Sequence, residues 1–231
     1  MANTSWTNPA TGTTGNLTGT DVSGIDAAYI PGGGGGGDSP VNPPGGNSPI
    51  VIDLNGDGFR LTSRSAGVVF DLNNDGDANR IAWTAADSDD GFLVLDRNGN
   101  GTIDDGAELF GDRTPLHDGI YAEHGFEALH FFDQPDQGGN QDGYIDDADA
   151  IYTELRVWVD RNQNGLSEPE ELFTLPEVGI TRIALDYVES GRRDRYGNHF
   201  RFCAGTYREG EPPQGLGNRM ACDVFFVGGE E

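Results

Sequence analysis

The stretch from residue 157 to residue 172 concentrates oxygen-bearing side chains around one glycine, Gly165. Calcium takes about six to eight oxygen ligands, and a loop of about twelve residues can supply them from positions 1, 3, 5, 7, 9 and 12, with glycine at position 6. Positions 1, 3, 5, 9 and 12 are filled here by Asp160, Asn162, Asn164, Glu168 and Glu171. Leu166 offers its carbonyl at position 7, and only Ser167 departs from the apolar residue usual at position 8. The sequence therefore predicts a calcium loop.

A second loop of this type begins at Asp96 and turns at Gly101. Its predicted ligands are the side chains of Asp96, Asn98, Asn100 and Asp104 and the carbonyl of Thr102. Position 12 is Ala107, which has no ligand atom, so the closing carboxylate is predicted to be Glu108, one residue late. A strand-like run precedes this loop, and we expect a variant of the usual calcium loop.

A third loop around Gly143 is interrupted by extra residues. Its predicted ligands are the side chains of Asp133, Asn140, Asp142, Asp146 and Asp149 and the carbonyl of Tyr144. Counting back from Gly143 places Gly138 at position 1, so the inserted residues must bring either Asp133 or Asp136 into the loop. The short spacing between Gly143 and Gly165 predicts a single helix that leaves this loop and enters the next.

Two further loops start in the same way but contain no acid at position 12. Their predicted ligands are Asp53, Asn55 and Asp57 in one loop, and Asp71, Asn73, Asp75 and Asp77 in the other. Both lie between strand-like runs, and Asn, Asp and Gly also form hairpin turns that need no metal. If either loop binds calcium, a distant carboxylate must complete it, with Asp87, Asp89 and Asp90 as candidates.

The overall composition supports cation binding. The 231-residue chain has a formal net charge of −25, and all 14 of its basic residues are arginines. Such acidity disfavours nucleic acid and anionic membrane surfaces as partners. An alternative cause is adaptation of the whole proteome to salt, which would scatter the acid. Roughly half of the 39 carboxylates fall within the five loops, which favours calcium as the cofactor.

The chain divides by composition into four parts. Residues 1–30 are rich in Thr, Gly and Asn, and residues 31–49 form a linker of Gly and Pro. Residues 50–190 are predicted to form the calcium-binding domain, and residues 191–231 a β-hairpin extension packed on it. Apolar residues recur at helical spacing between residues 105 and 173. The predicted fold class is therefore α+β, with short strands at both ends flanking a central helical region.

The two cysteines fall in the predicted C-terminal hairpin. Pairing its strands about residues 212–213 places Cys203 opposite Cys222. Export from the cell would favour a disulfide between them, whereas a pair of buried thiols is the alternative.

Several linked motifs resemble the EF-hand-containing calcium-binding modules of large secreted bacterial proteins, including repeats-in-toxin proteins and surface proteins. The motifs are "VIDLNGDG", "VFDLNNDGD", "LDRNGNGTIDDGAE", "DGYIDDAD" and "WVDRNQNGLSEPEE", and the likeness covers about residues 49–187. The resemblance implies a secreted or cell-surface protein whose module folds when its loops bind Ca²⁺. It also implies other domains of the same protein, or a cell-surface or glycan ligand, as partners.

Two alternative functions are open. Some members of the toxin group cleave their own chain at an Asp–Pro bond when calcium binds, but this sequence contains no Asp–Pro pair. An adhesion or glycan-binding module would use an incompletely coordinated calcium ion to hold ligand oxygens. The four histidines lack zinc-type spacing, and no nucleophile has an identifiable neighbouring base. We expect a binding module that is not an enzyme, and no segment is long and apolar enough to insert into a membrane.

Overall fold

The computed structural model describes residues 48–211 and 219–227 in full. It also describes the backbone of two paired strands near the start of the chain, β1 (Thr4–Thr7) and β2 (Thr14–Leu17). The rest of the predicted N-terminal segment, and the linker up to residue 47, lie outside the described residues. The other strands are β3 (Ile50–Ile52), β4 (Val68–Phe70), β5 (Asn79–Ile81), β6 (Gly91–Val94), β7 (Tyr144–Ile145), β8 (Arg156–Trp158), β9 (Leu172–Thr174), β10 (Arg182–Ala184), β11 (Val188–Arg193), β12 (His199–Tyr207) and β13 (Met220–Phe225).

Nine of these strands form one antiparallel sheet. Its order is β7-β10-β12-β13-β3-β6-β8-β9, and β11 pairs with β12 beside this path. Strands β4 and β5 form a separate hairpin. The sheet places β3, close to the start of the domain, between β6 and the last strand, β13.

Alternating side chains divide the interior into two cores, one on each face of the sheet. Ile50 and Ile52 of β3 lie in a core with Leu93 and the helix residue Phe126, whereas Val51 lies in the opposite core. The second core contains both Trp83 and Trp158, which contact each other edge to face with ring centroids 5.5 Å apart. Because successive strand residues point to opposite faces, strands buried on both sides become continuously apolar.

The prediction of a central helical region is wrong, because the fold is mostly β. The described residues contain one α-helix, α1 (Gly125–Phe132). The other helical segments are 3₁₀ turns: Arg64–Ala66, Gly106–Glu108, Pro135–Gln137, Ala150–Thr153 and Pro169–Glu171. No helix among the described residues is long and apolar enough to cross a membrane.

The error has a physical cause in the segment from residue 150 to residue 158. The spacing of Ile151, Leu155 and Trp158 predicts a helix, but Ile151 lies in a 3₁₀ turn, Trp158 lies in strand β8, and Leu155 lies between the two. Strand β8 is paired on both edges, and its Val157 and Trp158 are buried on opposite faces. An apolar run of this kind satisfies both helical and strand patterns, and a short isolated helix gains too little free energy to prevail.

The C-terminal hairpin contributes its strands to the middle of the sheet. Strand β12 pairs with β13 so that Cys203 faces Cys222, and the two form a disulfide. The structure therefore confirms the predicted pairing and shows a disulfide, not two thiols. Both cysteines are buried in the core that contains the tryptophans.

Candidate metal-binding loops

All five predicted loops share one local geometry at their start. In each, the first aspartate accepts a hydrogen bond from the N–H of the glycine at position 6, with N···O distances of 2.8 to 3.1 Å. These glycines have φ between 74° and 102°, the left-handed region that glycine adopts without steric cost. The five pairs are Asp53–Gly58, Asp71–Gly76, Asp96–Gly101, Asp133–Gly143 and Asp160–Gly165.

The Asp160 loop is closed by the carboxylate predicted for position 12. Glu171 Oε1 accepts a hydrogen bond from the Arg161 N–H at 3.0 Å, which brings the end of the loop back to its beginning. Both Asp160 and Glu171 are buried. Strand β8 precedes this loop and the 3₁₀ turn Pro169–Glu171 follows it, so the predicted entering and exiting helices do not form.

The other predicted ligands of this loop converge on the same place. Glu168 accepts hydrogen bonds from the side-chain amides of Asn164 at 2.7 Å and Asn162 at 3.4 Å. The Leu166 side chain is 65% exposed, and its carbonyl accepts the Glu168 N–H at 3.1 Å. The five acidic and amide side chains that the sequence singles out are therefore brought together.

The Asp96 loop is closed by Glu108, the late carboxylate that the sequence predicts. Its Oε1 accepts the N–H groups of Arg97 at 3.0 Å and Asn98 at 3.3 Å, and its Oε2 accepts the Asp104 N–H at 2.9 Å. The 3₁₀ turn Gly106–Glu108, capped by the Asp105 side chain, places Glu108 there. The Asp104 carboxylate accepts hydrogen bonds from three other predicted ligands: Asn98, Asn100 and Thr102. The sequence predicts the Thr102 carbonyl as a ligand and gives no indication of the contact that its hydroxyl makes with Asp104.

The third loop receives Asp133, not Asp136, at position 1. The inserted residues fold into the 3₁₀ turn Pro135–Gln137, which leaves Asp136 exposed and lets the Asp133 carboxylate reach Gly143. Asp149 closes this loop by accepting the N–H groups of Asn140 at 3.3 Å and Asp146 at 2.8 Å. Of the remaining predicted ligands, Asp142 accepts hydrogen bonds from the Asn140 amide and the Tyr144 N–H.

The Asp53 loop is closed from a distance by Asp89. Asp89 Oδ2 accepts the Asn55 N–H at 2.8 Å, and Asp53, Asp57 and Asp89 offer ligand oxygens that all lie within 4.8 Å of one another. The neighbouring Asp90 is buried and accepts the Arg60 N–H at 2.8 Å. Of the three candidates for completing this loop, Asp89 is therefore the one that closes it, and only the fold brings it there.

The Asp71 loop is a hairpin turn between β4 and β5. Asp71 accepts the N–H groups of Asp75 and Gly76, and Asp75 accepts hydrogen bonds from Asn73 at 2.5 Å and from the Asp77 N–H at 2.8 Å. Asp75 and Asp77 are exposed. We call this the open loop, because no closing hydrogen bond from a later carboxylate to its start occurs within the described residues, and we call the other four the closed loops.

Two closed loops are joined directly through their position-8 residues. The Ile103 N–H of the Asp96 loop donates a hydrogen bond to the Ser167 hydroxyl of the Asp160 loop at 2.6 Å, and both residues are buried. The serine that departs from the usual apolar pattern thus has a structural role. The prediction that the Gly143 and Gly165 loops share one helix is wrong, because strand β8 lies between them.

Tryptophan side chains orient the carboxylates of the Asp160 loop. The indole N–H of Trp83 donates to Asp160 Oδ2 at 2.8 Å, and that of Trp158 donates to Glu171 Oε2 at 3.4 Å. Groups behind a ligand fix its direction and tune its affinity for metal. Nothing in the sequence around either tryptophan indicates its hydrogen bond to a loop carboxylate, and Trp83 also lies far from the loop along the chain.

Burial and mutual repulsion make five of the loop carboxylates costly to ionise, whereas hydrogen bonds from Asn100 and Asn164 lower the pKa of Asp104 and Glu168 respectively. Burial is the main cause that raises the pKa of the following groups, and neighbouring carboxylates raise it further: Asp53, Glu108, Asp133, Asp149 and Glu171. Burial, with added repulsion from Asp53 and Asp89, raises the pKa of Asp90 to about 7. A nearby divalent cation would favour the ionised forms.

The arginines within the loops do not neutralise this charge. The guanidinium of Arg97 lies over the rings of Phe110 and Phe132, at 5.5 and 5.7 Å from their centroids. Arg161 lies over Phe173 in the same way, at 5.6 Å. Neither Arg97 nor Arg161 forms a salt bridge with a loop carboxylate among the described residues.

The protein is thus an antiparallel β-sheet domain that carries loops rich in Asp, Asn and Gly. A protein-family model, the SPM domain, matches residues 50–217, and the chain belongs to this family. The expected membership among EF-hand-containing modules is wrong, because the family differs and strands replace the expected helices.

The chain is also similar to the iron-regulated protein FrpA of Neisseria meningitidis serogroup C. The two are 45% identical over 152 residues, which cover 65% of this chain and 13% of FrpA. The chain therefore spans a small part of the length of this relative.

Proposed function

We propose that this chain is a calcium-binding module whose domain is stabilised by Ca²⁺ held in the closed loops. The supporting observation is that loops of different length reach the same geometry. In the Asp160 and Asp96 loops, Glu171 and Glu108 each accept an N–H at the loop start. In the third loop, Asp149 accepts the Asn140 N–H, which lies beyond the inserted residues. Hairpin turns require no such return, whereas a cation bound between the two ends of a loop does.

The residues present fit a cation. Asp133 Oδ1 and Asp90 Oδ1 are buried carboxylate oxygens without a hydrogen-bond partner among the described residues, and Glu168 Oε2 is a third such atom. An unpartnered buried charge is strongly unfavourable, so a ligand that accepts electron pairs would relieve it. Oxygen ligands alone, with irregular spacing, suit calcium better than magnesium, which demands near-octahedral geometry.

The cellular setting follows from affinity and is part of the same proposal. Weak calcium sites fill at the millimolar concentrations found outside cells. We therefore assign the module to a secreted or cell-surface protein, where it would join other domains or present a surface to a partner. Its role is binding and folding, and no catalytic step is assigned to it.

Metal content tests this proposal directly. Equilibrium dialysis of the full chain against millimolar calcium, followed by elemental analysis, should find one ion for each closed loop and less in the open loop. Competition with magnesium in large excess should displace little of the calcium. A calcium content below one ion per chain would refute the proposal.

A further inference from the structure

The positive charge of this acidic protein is concentrated on one face. A cavity of about 370 Å³ and a more open depression meet at Tyr196, and together we call them the arginine cleft. Six of the 14 arginines line it: Arg60, Arg64, Arg80, Arg192, Arg193 and Arg195. The lining includes one carboxylate, Asp194. The cleft is therefore cationic in a chain whose formal net charge is −25.

Four of these arginines are held by neutral groups, so their charge remains available. Arg64 Nε donates to the Arg80 carbonyl at 2.9 Å, and Arg193 donates to the Gly197 carbonyl at 3.2 Å. Arg60 donates to the Asp87 carbonyl, and Arg195 lies over the Tyr196 ring at 4.7 Å from its centroid. The salt bridge Arg219–Glu211 lies outside this cleft.

The turn that carries Arg193 and Arg195 is fixed in place before any ligand binds. Asp194 accepts the N–H groups of Tyr196 and Asn198 at 2.8 and 2.9 Å, so its carboxylate is committed to the turn. Asn198 is buried, and its amide donates to the Thr62 carbonyl and accepts the Val227 N–H. A rigid turn lowers the cost of binding, because only the arginine side chains and not the backbone must be ordered.

The geometry points to a short anionic oligosaccharide as the ligand: we propose that the arginine cleft binds a sugar chain bearing carboxylate or sulfate groups. Guanidinium forks match the two oxygens of such groups, and the hydroxyls of Ser63 and Ser65 suit sugar hydroxyls. The volume lies in the range of small-molecule sites. Tyr196, 38% exposed, offers an aromatic surface for a sugar ring.

The net charge restricts the ligand to a short chain. At physiological ionic strength, charges farther away than about 8 Å are largely screened, so a short anion in the cleft experiences mainly the arginines. A long polyanion would extend over the acidic remainder of the surface and be repelled. The site also differs from one in which calcium holds sugar oxygens, because its contacts come from arginine.

Isothermal titration of the full chain tests the proposal, in calcium and again in chelator. The ligands are a heparin-derived sulfated tetrasaccharide, a galacturonate tetramer, neutral maltotetraose, a Glu octapeptide and inorganic sulfate.

We expect one bound molecule of at least one anionic tetrasaccharide and none of maltotetraose. In the variant Arg193→Glu/Arg195→Glu, affinity should fall by about a hundredfold, roughly tenfold for each fork lost. The control Arg208→Glu makes the same charge change per substitution at an exposed arginine outside the cleft and should keep the affinity within about threefold.

Backbone amide shifts of the unaltered protein locate the site even if a variant fails to fold. Shifts centred on residues 193–198 and 60–66 support the proposal, and shifts centred elsewhere overturn it. Tighter binding of the Glu octapeptide overturns the ligand class, and equal binding of sulfate alone overturns an oligosaccharide site. Three further results would overturn the proposal. The Arg208 control could lose as much affinity as the double variant, or neither anionic tetrasaccharide could bind. Binding could also disappear in chelator while the double variant leaves it unchanged. The amide shifts are recorded in calcium and the metal content is measured without sugar, so failure of the arginine cleft proposal is distinguishable from failure of the calcium proposal.

Discussion

The Asp160 loop and the open loop at Asp71 begin alike and end differently. Both start with Asp, Asn and Gly at positions 1, 3 and 6, and in both the first aspartate accepts the glycine N–H, at 2.8 and 2.9 Å. In the first, Glu171 returns to the loop start and two tryptophans support the carboxylates. In the second, the chain simply enters β5.

The two loops differ in the part of their geometry that a hairpin turn alone does not explain. The first six residues of such a loop satisfy their own hydrogen bonds and can form in a hairpin. The returning carboxylate adds a second buried charge opposite the first, which is unfavourable without a cation. A closed loop is therefore a stronger predictor of calcium than the motif at its start.

Removing calcium should have the largest effect. A site at 100 times its dissociation constant adds about 2.7 kcal/mol to stability, so several closed loops together approach the whole free energy of unfolding of a domain. Hydrogen exchange in chelator should show lost protection at β8 and residues 133–149, and less change at the turn of the open loop. Calcium should restore the protection, and magnesium should do so poorly. Equal exchange in all three conditions would show that the closed loops do not stabilise the fold through calcium.

The substitution Glu171→Gln should have the next largest effect. It removes a charge from the closing carboxylate, so calcium affinity at one site should fall by more than the roughly tenfold to hundredfold lost with an outer-shell partner. Calorimetric titration should show one fewer tight site. Asp71→Asn, the matched change in the open loop, should leave the number of tight sites unchanged. If the two variants behave alike, closure does not distinguish the loops.

Acid should stabilise the calcium-free protein through Asp90, beside the closed Asp53 loop. Its pKa rises from 3.8 to about 7 on folding, mainly through burial, so stability is highest below the lower value and is lost as pH rises toward 7. The free energy of unfolding in chelator should therefore increase from pH 8 to pH 5, and Asp90→Asn should reduce this slope. Asp223, whose buried carboxyl also has a pKa of about 7, provides a control position. Calcium should reduce the pH dependence of stability that comes from Asp90 more than the part that comes from Asp223. An equal reduction at both positions would show that the ion does not affect Asp90.

The smallest effect is expected from Ser167→Ala, which removes the hydrogen bond between two closed loops. It leaves the buried Ile103 N–H without its acceptor, at a cost of about 1–3 kcal/mol. Calcium binding to the Asp96 and Asp160 loops should become less cooperative, as titration of the two sites would show. Ser65→Ala, at an exposed serine, serves as the control. Unchanged cooperativity would mean that the hydrogen bond does not couple the loops.

The sequence predicted the local features of the candidate site well and its distant partners poorly. Glu108 could be chosen in advance because spacing within one loop limits the alternatives, whereas the insertion in the third loop leaves both Asp133 and Asp136 open. Asp89 and Trp83 reach their loops only through the sheet, and no local pattern encodes that approach. The arginine cleft is likewise assembled from segments that are far apart along the chain.

The fold was predicted correctly at the C-terminal hairpin and wrongly in the middle of the chain. The Cys203–Cys222 register follows from symmetry about a single turn, which is a local property. The strand at Val157 depends instead on partners on both of its edges, which the sequence does not disclose. Apolar spacing alone could not decide between a helix and a strand buried on both faces.

The position of β3 between β6 and β13 has a consequence for how the protein folds. Ile52 pairs with Ala221, so the first strand of the domain finds one of its two neighbours only after almost all of the domain has been synthesised. Pairings so distant along the chain are slow to form, because the entropy of closing the intervening loop is lost before the contacts compensate for it. During synthesis β3 thus has an unpaired edge, which is a site for mispairing with other chains. A chain truncated before β13 would keep that edge exposed, and its aggregation should exceed that of the full chain.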